Sequence, residues 1–238
     1  MHRNLICVKH GSLYGPEYVI NLYNGVKRFQ NKNFQFHVFT DDVTGLPRKP
    51  DWVIHHLPKW NLPQMKAWWY KLEIFNPQQK LPQGRNLYVD LDVIITGDLK
   101  EMWNYSAHDF VICQDFNRAF IRDYNHGNSS VMGWTNDDYA WLYDDFIKNM
   151  QVIIRKHRGD QDYINEKITQ RSYFPKNWAM SYRWEIWRGG HKDGRTSQYH
   201  LDESVSVIPE DCKMIVFHGT PKPHEMTERK LADLWSRP

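Results

Sequence analysis

Cysteine is scarce: Cys7, Cys113 and Cys212 are the three in 238 residues, widely spaced and without a C-x-x-C pair. That usage argues against a disulfide framework and a clustered zinc site, and it fits a reducing, cytoplasmic setting. Long apolar runs are missing too. The opening Met1-His-Arg-Asn-Leu-Ile-Cys-Val-Lys-His10 is too short an apolar stretch for a signal peptide, and no segment approaches the length of a bilayer span, so no transmembrane segment is expected. Dense lysine and arginine runs do not occur, and a formal charge of only +3 offers no footprint for a nucleic-acid partner. Internal repeats and low-complexity linkers are lacking, which leaves residues 1–238 to be read as a single α/β domain, long enough to bury a core without disulfides or structural metal. What the chain has in plenty is aromatic side chains. Eleven tryptophans exceed the ordinary needs of a core this size, and such rings suit stacking on sugars or bases as well as packing.

The apolar pattern alternates between the two periods. Residues 4–9 read as a strand, followed by a loop at His10-Gly11-Ser12. A helix follows from Gly15-Pro16 with Val19, Leu22, Val26 and Phe29 on one face, and a second strand lies at 34–40. This β-α-β opening predicts a parallel sheet with a right-handed crossover, and ligands then bind beyond the carboxyl ends of the strands, around residues 9–14 and Asp41. A strand at 52–55 comes next, then a helix over 64–75 with Met65, Trp68, Leu72 and Phe75 inward and Lys71 at the edge of that face. Further on, the spacing predicts a short helix at 98–103 capped by Asp98 and strands at 109–114 and 127–134. Helices follow at 137–150, capped by Asn136 and with Tyr139, Leu142, Phe146 and Met150 on one face, and at 159–170, with Ile164 and Ile168 inward. A strand at 214–217 and a helix at 225–235 close the chain. The stretch 173–210 has no clear period; Trp178, Tyr182, Trp184 and Trp187 within it are candidates for acceptor contact or for burying a loop.

The most informative segment is Leu87-Tyr-Val-Asp-Leu-Asp-Val-Ile-Ile-Thr-Gly-Asp98, where a hydrophobic strand ends in two carboxylates separated by one residue. Alternation along an extended chain puts Asp90 and Asp92 on one side, close enough to share a divalent cation, with Leu91 directed into the core. A hard cation on oxygen ligands is the usual means of gripping a diphosphate. The pattern alone fits a solvated acidic turn equally well. His218, delivered by the last apolar strand, could complete the coordination; two carboxylates and an imidazole suit Mn²⁺ or Mg²⁺ better than structural zinc. Lys222, four residues on, could meet the same phosphates as a point charge. Asp160 could cap a helix, act on a substrate, or do both.

Taken in order, Tyr-Lys71-Leu, Tyr-Val-Asp-Leu-Asp92, Asn128-Ser-Ser-Val-Met, Asp160-Gln-Asp-Tyr-Ile-Asn and His218-Gly-x-x-Lys-Pro resemble the GT-A glycosyltransferases, in particular the retaining family 8 group. The resemblance runs from the first strand to near the C-terminus. It implies a Rossmann-like mixed sheet flanked by helices, a nucleotide-sugar donor, expected to be a UDP-sugar, and a carbohydrate or other hydroxyl acceptor. It also implies that Asp90, Asp92 and His218 hold the metal, with Asp90 near the ribose. Lys71 and Asn128 are expected to touch the donor sugar, and Asp160 and Gln161 to line its reacting face, with Asp162 a second catalytic candidate. Gly219 and Lys222 would contact the diphosphate, and Val8, Lys9 and Tyr14 would cradle the nucleoside. The chain departs from the family pattern in the shorter His218–Lys222 spacing, in His224 where tryptophan is usual after proline, and in Ser130 where glycine is common. A sugar-phosphate nucleotidyltransferase is the alternative enzyme class, but such enzymes carry a glycine-rich basic loop after the first strand, and His10-Gly-Ser-Leu-Tyr-Gly-Pro-Glu-Tyr18 is poor in both. A nucleotide-sugar-binding protein without catalysis and, more distantly, a metal-dependent phosphohydrolase complete the field.

Overall fold

The apolar runs fold as their periods dictate, strands where residues alternate and helices where they recur every three to four. The structure is a computed structural model and describes all residues except 1, 31–32, 64, 107–108, 136–137, 187–207, 227–228 and 237–238. Strand β1 (His2–Lys9) leads into helix α1 (Pro16–Phe29), and β2 (Gln35–Thr40) and β3 (Trp52–His56) follow. All three strands are parallel. Pro16 opens α1, where a missing N–H costs no helical bond, and Tyr18, Val19, Leu22, Tyr23 and Val26 are buried. Next come β4 (Gly84–Val89), β5 (Val93–Ile95), α2 (Lys100–Tyr105), β6 (Val111–Gln114) and β7 (Gly127–Thr135). Helices α3 (Ala140–Lys156) and α4 (Asp160–Lys167), strands β8 (Ser172–Tyr173), β9 (Ala179–Ser181) and β10 (Met214–Val216), and helix α5 (Arg229–Ser236) complete the order.

Seven strands form one mixed sheet, β3-β2-β1-β4-β7-β6-β8, in which β7 runs antiparallel to both neighbours. Alternation along the strands splits the core in two. Leu5, Cys7, Leu87 and Val89 face α1, α2 and α5, while Ile6, Tyr88, Ile112 and Met132 face the segment 67–75, α3 and α4. The expected mixed sheet flanked by helices is present. A second sheet, β5-β10-β9, ties the residues just after the acidic pair to those just before His218: Val216 pairs with Val93, and Phe217 N donates to Asp92 O at 2.9 Å.

Four local differences have physical causes. The segment expected as an α-helix over 64–75 is a 3-10 helix, Ala67–Phe75. With three residues per turn, Trp69, Leu72 and Phe75 share one buried row, and Trp68, expected inward, is 47% exposed. Helix α3 passes its expected end at Met150 to reach Lys156, bending at Asn149 (φ −119°, ψ 18°). The first turn of α2 begins at Lys100, whose N–H donates to Asp98 Oδ1 at 2.7 Å, so Asp98 does its expected work one residue early. Strands β8 and β9 lie in the stretch with no readable period, being two and three residues long. The helix start at Gln64, the cap at Asn136 and Trp187 lie outside the described residues.

Candidate active site

Strand β4 is buried on both faces up to Val89, and the chain then leaves the sheet, carrying Asp90 and Asp92 to its carboxyl edge with Leu91 turned into the core. Each carboxylate meets one ammonium group. Lys71 Nζ lies 3.2 Å from Asp90 Oδ1, and Lys222 Nζ lies 2.6 Å from Asp92 Oδ2. Two phenols add to them: Tyr88 donates to Asp90 Oδ1 at 2.5 Å and Tyr14 to Asp92 Oδ2 at 2.8 Å. Burial, and then the charge of Asp90, hold the Asp92 carboxyl above its ordinary pKa even with Lys222 in contact.

Lys71 reaches this cluster because the 3-10 helix puts it on the row shared with Trp68 and Ile74, at the sheet edge. Its ammonium also bonds Asp160 Oδ2 at 3.0 Å, Ser129 Oγ at 3.0 Å and Ser129 O at 3.2 Å. Burial pulls Lys71 toward the neutral form, and the charges of Asp160 and Asp90 outweigh it, so its pKa stands above the usual lysine value. Asp160 opens α4 and is 4% exposed, with Ser129 Oγ donating to it at 2.7 Å. Gln161 accepts from Ser129 N at 3.3 Å and donates to Asp115 Oδ2 at 2.9 Å. Asn128 folds back to accept from Ser130 N at 3.0 Å. The Asp162 side chain makes no hydrogen bond among the described residues.

A cleft of about 220 Å³ opens over this cluster, lined among others by Val8, Tyr14, Trp68, Lys71, Asp90 and Asp92. Lys9 is buried and is not among the residues lining it, with its ammonium 3.4 Å from Gly11 O. The chain brings His218 next to the acids through the preceding residue, Phe217, whose N donates to Asp92 O. The His218 ring stacks on Phe116 at 5.1 Å, meets Trp184 edge-on, and its Nε2 hydrogen-bonds Ser181 Oγ at 2.7 Å. Gly219 turns the chain after it with φ +76°. Of the four aromatic candidates for acceptor contact, Tyr182 is core, stacked on Phe217, and Trp178 and Trp184 pack partly buried against the same core.

The structure resembles that of galactosyltransferase LgtC in complex with donor and acceptor sugar analogs over 97% of this chain and 94% of that one (TM-score 0.64, 13% identity). It also resembles glycosyltransferase GlyE of Streptococcus pneumoniae TIGR4 over 98% of this chain and 60% of that one (TM-score 0.68, 14% identity). The fold is that of the GT-A glycosyltransferases. The bifunctional glycosyltransferase WbbM shares it over 93% of this chain and 46% of that one (TM-score 0.58, 13% identity). No protein-family model and no curated protein sequence matches the chain.

A divalent cation is the group a GT-A cleft implies, and the side chains fit it in part. Among the described residues no three His, Cys, Asp or Glu side chains are grouped to hold a metal ion. The acid pair itself suits one. Asp90 Oδ2 and Asp92 Oδ1 take no hydrogen bond from a described residue, and among the described residues the three carboxylates Asp90, Asp92 and Asp160 pair with two ammonium groups, Lys71 and Lys222. Several residues of this cluster and cleft escaped the sequence reading. Tyr88 stands two residues before Asp90, on the same face of the strand, and Asp115 ends an apolar strand as Asp90 does; both signals were present. Ser129 carried none of its own, and His10 only its place in the loop after the first strand, where ligands were expected. His10 stacks on Tyr70 at 3.8 Å, lines the cleft, and keeps a buried Nδ1 without a partner. Trp68 lines it too, packed so closely on Gly159 that a Cβ there would lie 3.0 Å from its Nε1.

Proposed function

We propose that this chain is a metal-dependent glycosyltransferase that moves a hexosyl unit from a nucleotide diphosphosugar, a UDP-sugar, to an acceptor hydroxyl with retention. The observation that carries the reading is the acid pair Asp90 and Asp92 on the floor of a cleft at the carboxyl edge of a GT-A sheet, joined through Lys71 to Asp160, three carboxylates that pair with two ammonium groups among the described residues. A diphosphate would be repelled from such a floor unless a cation came with it. Asp90 and Asp92 would hold that cation, with His218 as the third ligand once it leaves Ser181. Mn²⁺ or Mg²⁺, when bound, supplies a Lewis acid for the leaving diphosphate.

The chain's own groups carry the rest. Lys222 donates to the diphosphate and offsets the charge that grows there as the glycosidic bond breaks. Asp160, fixed by Lys71 and Ser129, stabilises positive charge on the anomeric carbon. Gln161, fixed by Asp115, orients the acceptor on the face the diphosphate leaves. A phosphate oxygen of the leaving group takes the acceptor proton, so no protein nucleophile is required. Tyr14 and Val8 close the nucleoside side and exclude water.

The test is nucleotide release from a panel of UDP-, GDP- and ADP-sugars with and without Mn²⁺. Wild type should release UDP only with metal, and Asp92→Asn should lower the rate by about a hundredfold or more, the scale of losing a group that stabilises transition-state charge. Neither release nor binding of any nucleotide sugar by the wild type would remove the proposal.

A further inference from the structure

The two lysines of the site are not held alike. Lys71 is bracketed by two carboxylates and both oxygens of Ser129, and its side chain is 8% exposed. Lys222 has one carboxylate, Asp92 Oδ2 at 2.6 Å, and one carbonyl, Phe217 O at a long 3.3 Å, and its side chain is 20% exposed. Its backbone is anchored, since Lys222 N donates to Glu225 Oε2 at 2.6 Å, while Gly219 and Thr220 before it are exposed. The ammonium can therefore swing without moving the chain. It also sits on one of the two acids that would receive a cation.

We propose that Lys222 is an exchangeable counter-ion: it neutralises Asp92 while the cleft lacks ligand and passes to the diphosphate when donor and divalent cation arrive together. The inference rests on the metal-dependent reading above. A cation alone, seated on the free oxygens of Asp90 and Asp92, competes with the Lys222 ammonium for the charge of Asp92 and is repelled by it, so it binds weakly. A diphosphate alone takes Lys222 but then faces bare carboxylates. Together, each ligand removes the other's obstacle, and the coupling is reciprocal by linkage. Lys71, with a second carboxylate to hold it, stays in place through both states.

The experiment is a Mn²⁺ titration of the full chain, read by the spin-resonance signal of free Mn²⁺, with and without UDP. The proteins are wild type, Lys222→Met, Lys222→Gln and Lys213→Met. Lys213 pairs with Glu101, which has no part in the acidic cluster, and its variant controls for the loss of one positive charge. Removing the Lys222 ammonium should tighten Mn²⁺ binding in the absence of UDP by about fivefold or more, and shrink the factor by which UDP improves it, while Lys213→Met matches wild type. The Met and Gln variants report the same quantity, so one that fails to fold leaves the other to decide. Unchanged or weaker Mn²⁺ binding without UDP in a folded Lys222 variant overturns the proposal, even where wild type binds both ligands and the glycosyltransferase reading stands. An equal gain in Lys213→Met also overturns it, by assigning the effect to net charge. No Mn²⁺ binding by any of the proteins, with or without UDP, removes both proposals.

Discussion

A buried ammonium between two acids has a defined cost of removal. Lys71→Met would leave Asp160, 6% exposed in its side chain, as an unpaired buried charge, and should destabilise the fold by about 3–5 kcal/mol. Asp160→Asn in the same chain removes that charge, so the double variant should recover much of the loss. Urea unfolding of the two single variants and the double gives the coupling directly, and strictly additive losses would show that the pair is not coupled. At this scale the sequence was readable where chemistry has a pattern. Asp90 and Asp92 announce themselves by their spacing at a strand end, and Leu91 between them points inward as alternation requires. Ser129 was not readable, because a serine beside an asparagine has no periodic signature and gains its role only when α4 brings Asp160 to within 2.7 Å. His218 was readable as a neighbour of the acids in the fold, but not in orientation, because the side chain follows Phe116, Trp184 and Ser181 rather than the strand that delivers it.

Among the elements, the helix at Ala67–Phe75 separates two ways of counting. A period of 3.6 places Trp68 with Leu72 in the core, whereas three residues per turn replaces it by Trp69. Leu72→Ala, at a fully buried position, should cost about 2–5 kcal/mol, and Trp68→Ala no more than about 1 kcal/mol, with the second weakening nucleotide-sugar binding because its ring lines the cleft. Thermal unfolding with and without ligand distinguishes them, and equal destabilisation by the two substitutions would restore the α-helical register. The longer strands and α1 were legible because one face of each is buried and the other is not, or because the run is apolar throughout. Strands β8 and β9 were not, since two or three residues cannot display a period and their place is set by β6 and β10.

For the whole molecule, stability toward acid should be governed in large part by a histidine pair outside the lining of the cleft. His37 on β2 and His55 on β3 are buried and joined Nδ1 to Nε2 at 2.9 Å, and His55 is further bound to Gln79. Burial, and then the neighbouring His55, lower the His37 pKa from 6.5 to about 3. Between those values the unfolded chain binds a proton that the folded chain refuses. Stability therefore falls as pH drops through that window, by on the order of 5 kcal/mol from this group, and the loss ends below it. His55 is lowered as well, by burial first, and acts in the same direction. Denaturant unfolding between about pH 7 and pH 4 should show a steeper loss in wild type than in His37→Asn, whatever their difference at neutrality, and matching slopes would refute the assignment.

The small sheet β5-β10-β9 also sets a timetable. Asp92 and Lys222 are 130 residues apart along the chain and are brought together only when β10 docks on β5. As the polypeptide leaves the ribosome, the acidic pair emerges long before its lysine, so a growing chain carries the two carboxylates without the ammonium that Asp92 pairs with in the fold. On the proposed reading, capture of a donor waits until nearly all of these residues have been made.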